Sequence, residues 1–132
     1  MKDVTPFLMF QNGDAEEAMN FYTSLIEDSE IKEIARYDEN GPGKEGTVIQ
    51  ARFSLNGQEF MCIDSHVRHA FEFTPSLSIF LTCETEKEID HLYQALLKDG
   101  EALMPIDNYG FSKKFGWVND KYGVSWQLSL PE

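Results

Sequence analysis

Cysteine, histidine and basic residues are scarce in this 132-residue chain, and each shortage removes a class of function. Only Cys62 and Cys83 are present, each inside a strand-like run, so no disulfide framework holds the chain together. Without a secretory leader they read as free thiols in a reducing, cytoplasmic setting. Lys and Arg together number 11 against 23 Asp and Glu, and the formal charge of −12 repels a phosphate backbone and an anionic membrane surface alike. Nucleic-acid and membrane partners are therefore not expected. No apolar run approaches the ~20 residues that span a bilayer, and Met1–Phe10 is too short and too interrupted for a signal peptide. A glycine-rich nucleotide loop, a phosphate-cradling loop and a Ser-His-Asp order are all missing.

What is present suits one globular domain spanning 1–132, because 42% of the residues are apolar and 26% charged. Ala15, Ala18, Met19, Tyr22, Leu25 and Ile26 recur at helical spacing within Asp14–Glu27, which Asp14 and Glu17 open in the manner of a capping box. Ile89, Leu92, Tyr93, Leu96 and Leu97 do the same within Thr85–Asp99, opened by Thr85 and Glu88 and closed by Lys98 and Gly100. Strand-like runs cover Val4–Phe10, Ile31–Tyr37, Thr47–Leu55, Glu59–Asp64, Ser76–Thr82, Ala102–Pro105, Lys114–Asn119 and Val124–Leu130. Asn56-Gly57 and Tyr122-Gly123 supply turns before the last strand of each half.

The order strand, helix, three strands occurs twice at an offset of about 70 residues. The expected class is α+β, with two tandem βαβββ modules: the first about 1–65 and the second about 75–132, joined by Ser65–Pro75.

Alternation gives each strand an oily face and a mixed one. Leu8, Phe10, Ile49, Ala51, Phe53, Leu55, Met61, Ile63, Leu77, Ile79, Leu81, Trp126, Leu128 and Leu130 are expected under the helices. The opposite face takes Thr5, Phe7, Met9, Gln50, Arg52, Phe60, Cys62, Asp64, Ser76, Ser78, Phe80, Phe115, Trp117, Asn119, Ser125, Gln127 and Ser129. Aromatics among amides and hydroxyls describe a concave small-molecule pocket better than a plain wet surface. From that face the candidate ligand-binding residues are Phe7, Met9, Gln50, Arg52, Cys62, Ser78, Phe80, Trp117 and Gln127. Cys62 is the one weak candidate for a nucleophile, with Arg52 as the nearest cation; its bland alternative is a buried inert thiol. Arg52 and Gln50 either anchor a carboxylate or carbonyl of a ligand or pair with Asp64 or Glu59. Trp117 and Phe80 either stack on a ligand or fill the core. The loop Pro105–Lys114 is either a flap or an ordinary connector.

The segments TPFLMF from Thr5, AEEAMNFY from Ala15, NGQEFMCID from Asn56, FEFTPSLSIFLTCETEKEIDHLY from Phe71 and FGWVNDKYGVSWQL from Phe115 resemble the PhnB-like branch of the vicinal-oxygen-chelate (glyoxalase, bleomycin-resistance and dioxygenase) superfamily. The resemblance implies a curved eight-stranded mixed sheet around a cleft, commonly in a homodimer. In metal-dependent relatives the first and last strands of each module carry His, Glu or Gln ligands. Matched strand by strand, those positions hold Phe7 and Cys62, then Ser78 and Gln127. Neither this set nor His66 and His69 on the linker and His91 on the polar side of the second helix makes a divalent site. No metal and no cofactor are expected, and the methyltransferase name attached to this branch finds no nucleotide-binding motif here. The expected function is metal-independent binding of a small apolar or aromatic molecule. The alternatives are a lyase or isomerase working in the same cleft and a dimeric interaction module.

Overall fold

The apolar stripes of the two helical segments fold as the spacing requires. In the computed structural model, which describes residues 1–132, they form α1 (Ala15–Leu25) and α2 (Glu86–Leu97). Ala15, Ala18, Met19 and Tyr22 are the buried stripe of α1; Ile89, Leu92, Tyr93 and Leu96 are that of α2. The strands are β1 (Phe7–Phe10), β2 (Glu30–Arg36), β3 (Val48–Leu55), β4 (Gln58–Asp64), β5 (Ile79–Thr82), β6 (Glu101–Asp107), β7 (Lys114–Asn119) and β8 (Ser125–Leu130). The chain divides into two compact units, Met1–Ala70 and Phe71–Glu132.

The expected α+β class and the repeat are both present. The eight strands form two four-stranded mixed sheets, ordered β1-β4-β3-β2 and β5-β8-β7-β6. In each unit the first strand runs parallel to the last, and the other pairings are antiparallel. The β3–β4 hairpin turns at Asn56 (φ 49°) and Gly57 (φ 87°). Two successive left-handed residues match the twist of the flanking strands, and Asn-Gly adopts them with little steric cost.

Each helix lies on one face of its own sheet. In the first unit α1 packs against β2, β3 and β4, burying Leu8, Phe10, Ala51, Phe53, Phe60 and Cys62. In the second, α2 packs against β6, β7 and β8, burying Val118, Trp126, Leu128 and Leu130. Each large side chain taken out of water contributes about 1.5–3 kcal/mol, so the helix-covered faces carry most of the driving force for folding. Gly116 belongs there because a Cβ at that position would stand 2.8 Å from the Tyr93 ring.

Several boundaries and faces differ from the sequence reading. β1 and β5 are four residues each, and Val4–Pro6 and Ser76–Ser78 approach them without strand geometry. β6 continues through Pro105 to Asp107; proline is tolerated because β6 is an edge strand. The β2–β3 register steps from Ala35↔Gln50 to Arg36↔Val48, a bulge that turns Val48 inward and leaves Ile49 exposed. In β4 the two faces are exchanged: Phe60, Cys62 and Asp64 are buried on the helix side, while Met61 and Ile63 are half-buried on the other. A shift of one residue moves every side chain across the sheet, and both alternating sets of β4 contain apolar residues, so alternation alone could not choose.

The capping expectation splits in the same way. Thr85 Oγ1 accepts the Glu88 N–H at 3.0 Å, and Glu88 Oε1 accepts the Glu84 N–H at 2.8 Å. Asp14 makes no side-chain cap bond; the buried Asp64 carboxylate accepts the Ala15 N–H instead, at 3.0 Å.

Candidate functional site

The face of each sheet away from its helix mixes aromatic, thioether, amide and guanidinium side chains. On the first sheet the register sets Phe7 beside Met61 and Met61 opposite Arg52, making one row of side chains. On the second, Phe80 stands beside Gln127 and Gln127 opposite Trp117, which is the same row in the repeat. Phe7 and Phe80, on the edge strands β1 and β5, are respectively 47% and 55% exposed, a large apolar area to leave in water. Met61, Arg52, Gln127 and Trp117 are half-buried around them.

Of the anticipated residues, Phe7, Met9 and Arg52 share the helix-free face of the first sheet, with Gln50 exposed near the bulge. Phe80, Trp117 and Gln127 share that of the second, and Ser78 joins them because Gln127 Nε2 donates to Ser78 Oγ at 2.7 Å. Trp117 Nε1 donates to Ser125 Oγ at 2.8 Å, which fixes the indole edge and leaves its ring as an apolar wall. Cys62 does not belong to this set. It lies under α1, and burial together with the Asp64 charge pushes its thiol up to about 12. At neutral pH such a thiol is almost wholly protonated, so it is not an activated nucleophile. Cys83, also buried, is pushed up to about 11 by the same kind of burial and by Glu88.

Arg52 pairs neither with Asp64 nor with Glu59. Its Nε stands 3.5 Å from Glu33 Oε1, and Glu59 Oε1 is held by Lys32 Nζ at 2.7 Å. Asp64 spends both oxygens on backbone N–H groups, those of Ala15 and Val48.

Reasoning from sequence missed Met61 and Ile63 on the helix-free face and the contribution of the β6–β7 loop. Phe111 meets Phe115 edge-on with ring centroids 4.9 Å apart, and Tyr109 stacks on Phe111 at 6.2 Å. Phe115 is thereby buried although it lies on the face away from α2, while Phe80 stands 6.4 Å from it at the margin of the cluster. Spaced aromatics in a glycine-containing loop were the available signal. The loop 105–114 therefore packs on the sheet through its rings.

A divalent metal does not fit the residues at the family's ligand positions. In the first unit they are the Phe7 phenyl ring and, once the β4 register is corrected, the Met61 thioether. In the second they are Ser78 and Gln127, which are bonded to each other. A hard or borderline ion requires about three imidazole, carboxylate or thiolate donors, and no three His, Cys, Asp or Glu side chains converge anywhere in the chain. His66 Nδ1 lies 3.3 Å from the Tyr37 hydroxyl, His69 lies on the linker with its backbone N–H bonded to Gln11, and His91 is exposed on α2. No helix is long and apolar enough to cross a membrane.

The model of the 3-demethylubiquinone-9 3-methyltransferase family matches residues 2–129. Among solved structures, a putative 3-demethylubiquinone-9 3-methyltransferase, PhnB protein, from Bacillus cereus is 68% identical, with 98% of this chain and 99% of that one covered and a TM-score of 0.95. A glyoxylase/bleomycin resistance protein/dioxygenase domain from Frankia sp. EAN1pec shares the fold at 15% identity, covering 100% and 93% of the two chains with a TM-score of 0.67. So does the fosfomycin resistance protein FosX from Listeria monocytogenes, solved with Mn(II) and a dihydroxypropylphosphonic acid, at 11% identity over 98% and 92% of the chains and a TM-score of 0.67. No protein of curated function matches. Two βαβββ units share the fold of the glyoxylase/bleomycin resistance protein/dioxygenase domain, and a family model spanning nearly the whole chain together with the 68% identical PhnB protein leads to one conclusion: the chain belongs to the 3-demethylubiquinone-9 3-methyltransferase family.

Proposed function

We propose that the protein binds a small apolar or aromatic molecule without a metal, and that the helix-free face of the second sheet is its principal contact surface. The observation that carries this reading is the row Phe80, Gln127, Trp117. It combines a half-exposed phenyl ring, a primary amide oriented by Ser78 and an indole wall fixed by Ser125. Apolar walls with a few oriented polar groups are the usual composition of small-molecule sites. The methyltransferase name carried by the family is no guide to the reaction, because a nucleotide-binding loop is missing from the sequence. A lyase or isomerase mechanism through Cys62 loses its support, since that thiol faces α1 and stays protonated.

The proposal includes a homodimer in a reducing, cytoplasmic setting, with no nucleic-acid or membrane partner. Exposed Phe80 and Phe111 favour a second copy covering part of this surface, and the acidic charge of −12 disfavours polyanions. Titration with the neutral fluorophore N-phenyl-1-naphthylamine tests the binding reading. Saturable enhancement that is unchanged by EDTA and weakened at least fivefold in Phe80→Ala is expected. Enhancement that never saturates, or that disappears on chelation, overturns it. Light scattering across a concentration series tests the dimer.

A further inference from the structure

Asparagine followed by glycine occurs at Asn12-Gly13, Asn40-Gly41 and Asn56-Gly57, all in the first unit. Such a pair is chemically labile, because glycine has no side chain to shield its amide nitrogen from the preceding asparagine Cγ. Attack of that nitrogen on Cγ closes a five-membered imide. Closure needs the two atoms to meet in a near-attack arrangement, so the backbone decides which pair reacts.

The fold restrains two of the three. The β3–β4 hairpin, whose Leu55 and Gln58 pair across the turn, holds Asn56 in the left-handed region at φ 49°. There ψ is about +47°, which carries the Gly57 nitrogen to the side opposite the Asn56 Cβ. Asn12 is clamped by its side chain: Arg68 Nη1 donates to Asn12 Oδ1 at 2.8 Å and to the Gln11 carbonyl at 3.3 Å. Turning Asn12 Cγ towards Gly13 gives up a charge-assisted bond. Asn40 has neither restraint. It is exposed, its φ is not left-handed and its side chain makes no hydrogen bond. The Gly41 N–H reaches only the Asp38 carbonyl, at 3.4 Å, beyond the usual range of such bonds.

We infer that Asn40 is a site of spontaneous deamidation, at which the folded protein is modified by solvent water alone. A bond forms from Gly41 N to Asn40 Cγ, the Cγ–Nδ2 bond breaks, and Nδ2 leaves as ammonia with the proton that Gly41 N gives up. Water then opens the imide. Cleavage at Cγ leaves an aspartyl residue; cleavage at the main-chain carbonyl leaves an isoaspartyl residue, whose backbone runs through Cβ. The loop around Asn40 is sensitive to that extra main-chain carbon. Its base is closed by the Tyr37 N–H on the Thr47 carbonyl at 2.8 Å and the Gly46 N–H on the Tyr37 carbonyl at 2.9 Å. Its backbone lies so close to the Tyr37 ring that a Cβ at Gly41 or Gly43 would stand 2.8 or 2.5 Å from it. A longer chain between fixed ends lifts Gly41 and Gly43 off the ring. The site is independent of the aromatic surface of the second unit.

Trypsin separates the three pairs into peptides 3–32, 37–44 and 53–68, so one digest tests the assignment. The full chain is aged in weakly alkaline buffer, folded or in guanidinium chloride, and each peptide is followed by mass and isoaspartyl content. In the folded chain, peptide 37–44 is expected to convert at least fivefold faster than the other two, and in denaturant the three rates should converge. Equal rates in the folded chain, or a ranking that unfolding leaves unchanged, overturns the inference. Brief trypsin treatment of the native protein reads the loop. The aged chain should be cut after Lys44 at least fivefold faster than fresh chain, while Asn40→Asp, which has the charge without the extra carbon, is cut like fresh chain. No acceleration on ageing, or equal acceleration in Asn40→Asp, overturns the loosening of the loop.

Discussion

The carboxylate of Asp64, at the end of β4, accepts the backbone N–H of Ala15 at 3.0 Å across 49 residues of sequence. Its second oxygen accepts the Val48 N–H at 2.8 Å, so one buried side chain satisfies the first turn of α1 and the first residue of β3. A negative charge at a helix N-terminus also meets the positive end of the helix dipole. Asp64→Ala leaves two buried donors without partners, and urea denaturation should show a loss of about 2–4 kcal/mol. Asp14→Ala should cost less, because Asp14 supplies no cap bond. Equal losses would show that the cap is local after all.

Close approach of α2 to its sheet depends on a missing side chain. With a Cβ at residue 116 only 2.8 Å from the Tyr93 ring, Gly116→Ala should cost about 1–3 kcal/mol through overpacking. Trimming the ring should relieve it, so Tyr93→Leu combined with Gly116→Ala is expected to be less damaging than the sum of the two single changes. Additive losses in a double-mutant cycle would place the cause elsewhere.

The two cysteines set a limit on alkaline stability. In the folded state their thiols ionise near 12 and 11, against an ordinary value of 9.0. Above pH 9 the unfolded chain therefore releases protons that the folded chain keeps, and stability falls as pH rises from 9 towards 12. Below pH 9 both states hold the protons and the contribution is constant. The stability difference between the wild type and Cys62→Ala, followed by denaturation from pH 8 to 10.5, should shift in favour of the variant as pH rises. A flat difference would mean that Cys62 ionises freely. At pH 8 both thiols should react with a disulfide reagent only on unfolding.

The two tryptophans occupy opposite faces of the second sheet and should report it. Trp126 is fully buried, and its Nε1 donates to the buried Asp120 carboxylate at 2.8 Å. Trp126→Phe opens space in the core and removes that donor, for an expected loss of about 2–4 kcal/mol. Trp117→Phe should cost about 1 kcal/mol, the worth of its bond to Ser125, yet weaken the naphthylamine probe. Thermal unfolding and the probe titration, run on both variants, check the face assignment; a reversed order of stability would contradict it.

Much of this protein was legible in its residues. The stripes Ala15-Ala18-Met19-Tyr22 and Ile89-Leu92-Tyr93-Leu96 specify two one-sided helices, and Asn56-Gly57 specifies a tight hairpin. These signals are local: a 3.6-residue period or a left-handed turn is decided by neighbours in the chain. The second sheet's helix-free face was legible for the same reason, since Phe80, Trp117 and Gln127 alternate with residues that are plainly core, such as Val118, Trp126 and Leu128.

Other features depended on partners far away in sequence. Phe60-Met61-Cys62-Ile63 offers an apolar residue at every position, so the face of β4 was settled by what it had to meet, Leu8 and Ala51 beside Cys62 and the Asp64 carboxylate beneath the start of α1. The bulge at Ile49 and the packing of Tyr109 and Phe111 around Phe115 likewise arise from contacts between separate strands and loops. Periodicity reports which residues of one element point the same way. Which of its two sides is then buried follows from the summed free energy of packing and hydrogen bonding against other elements, and that was decided only in the folded chain.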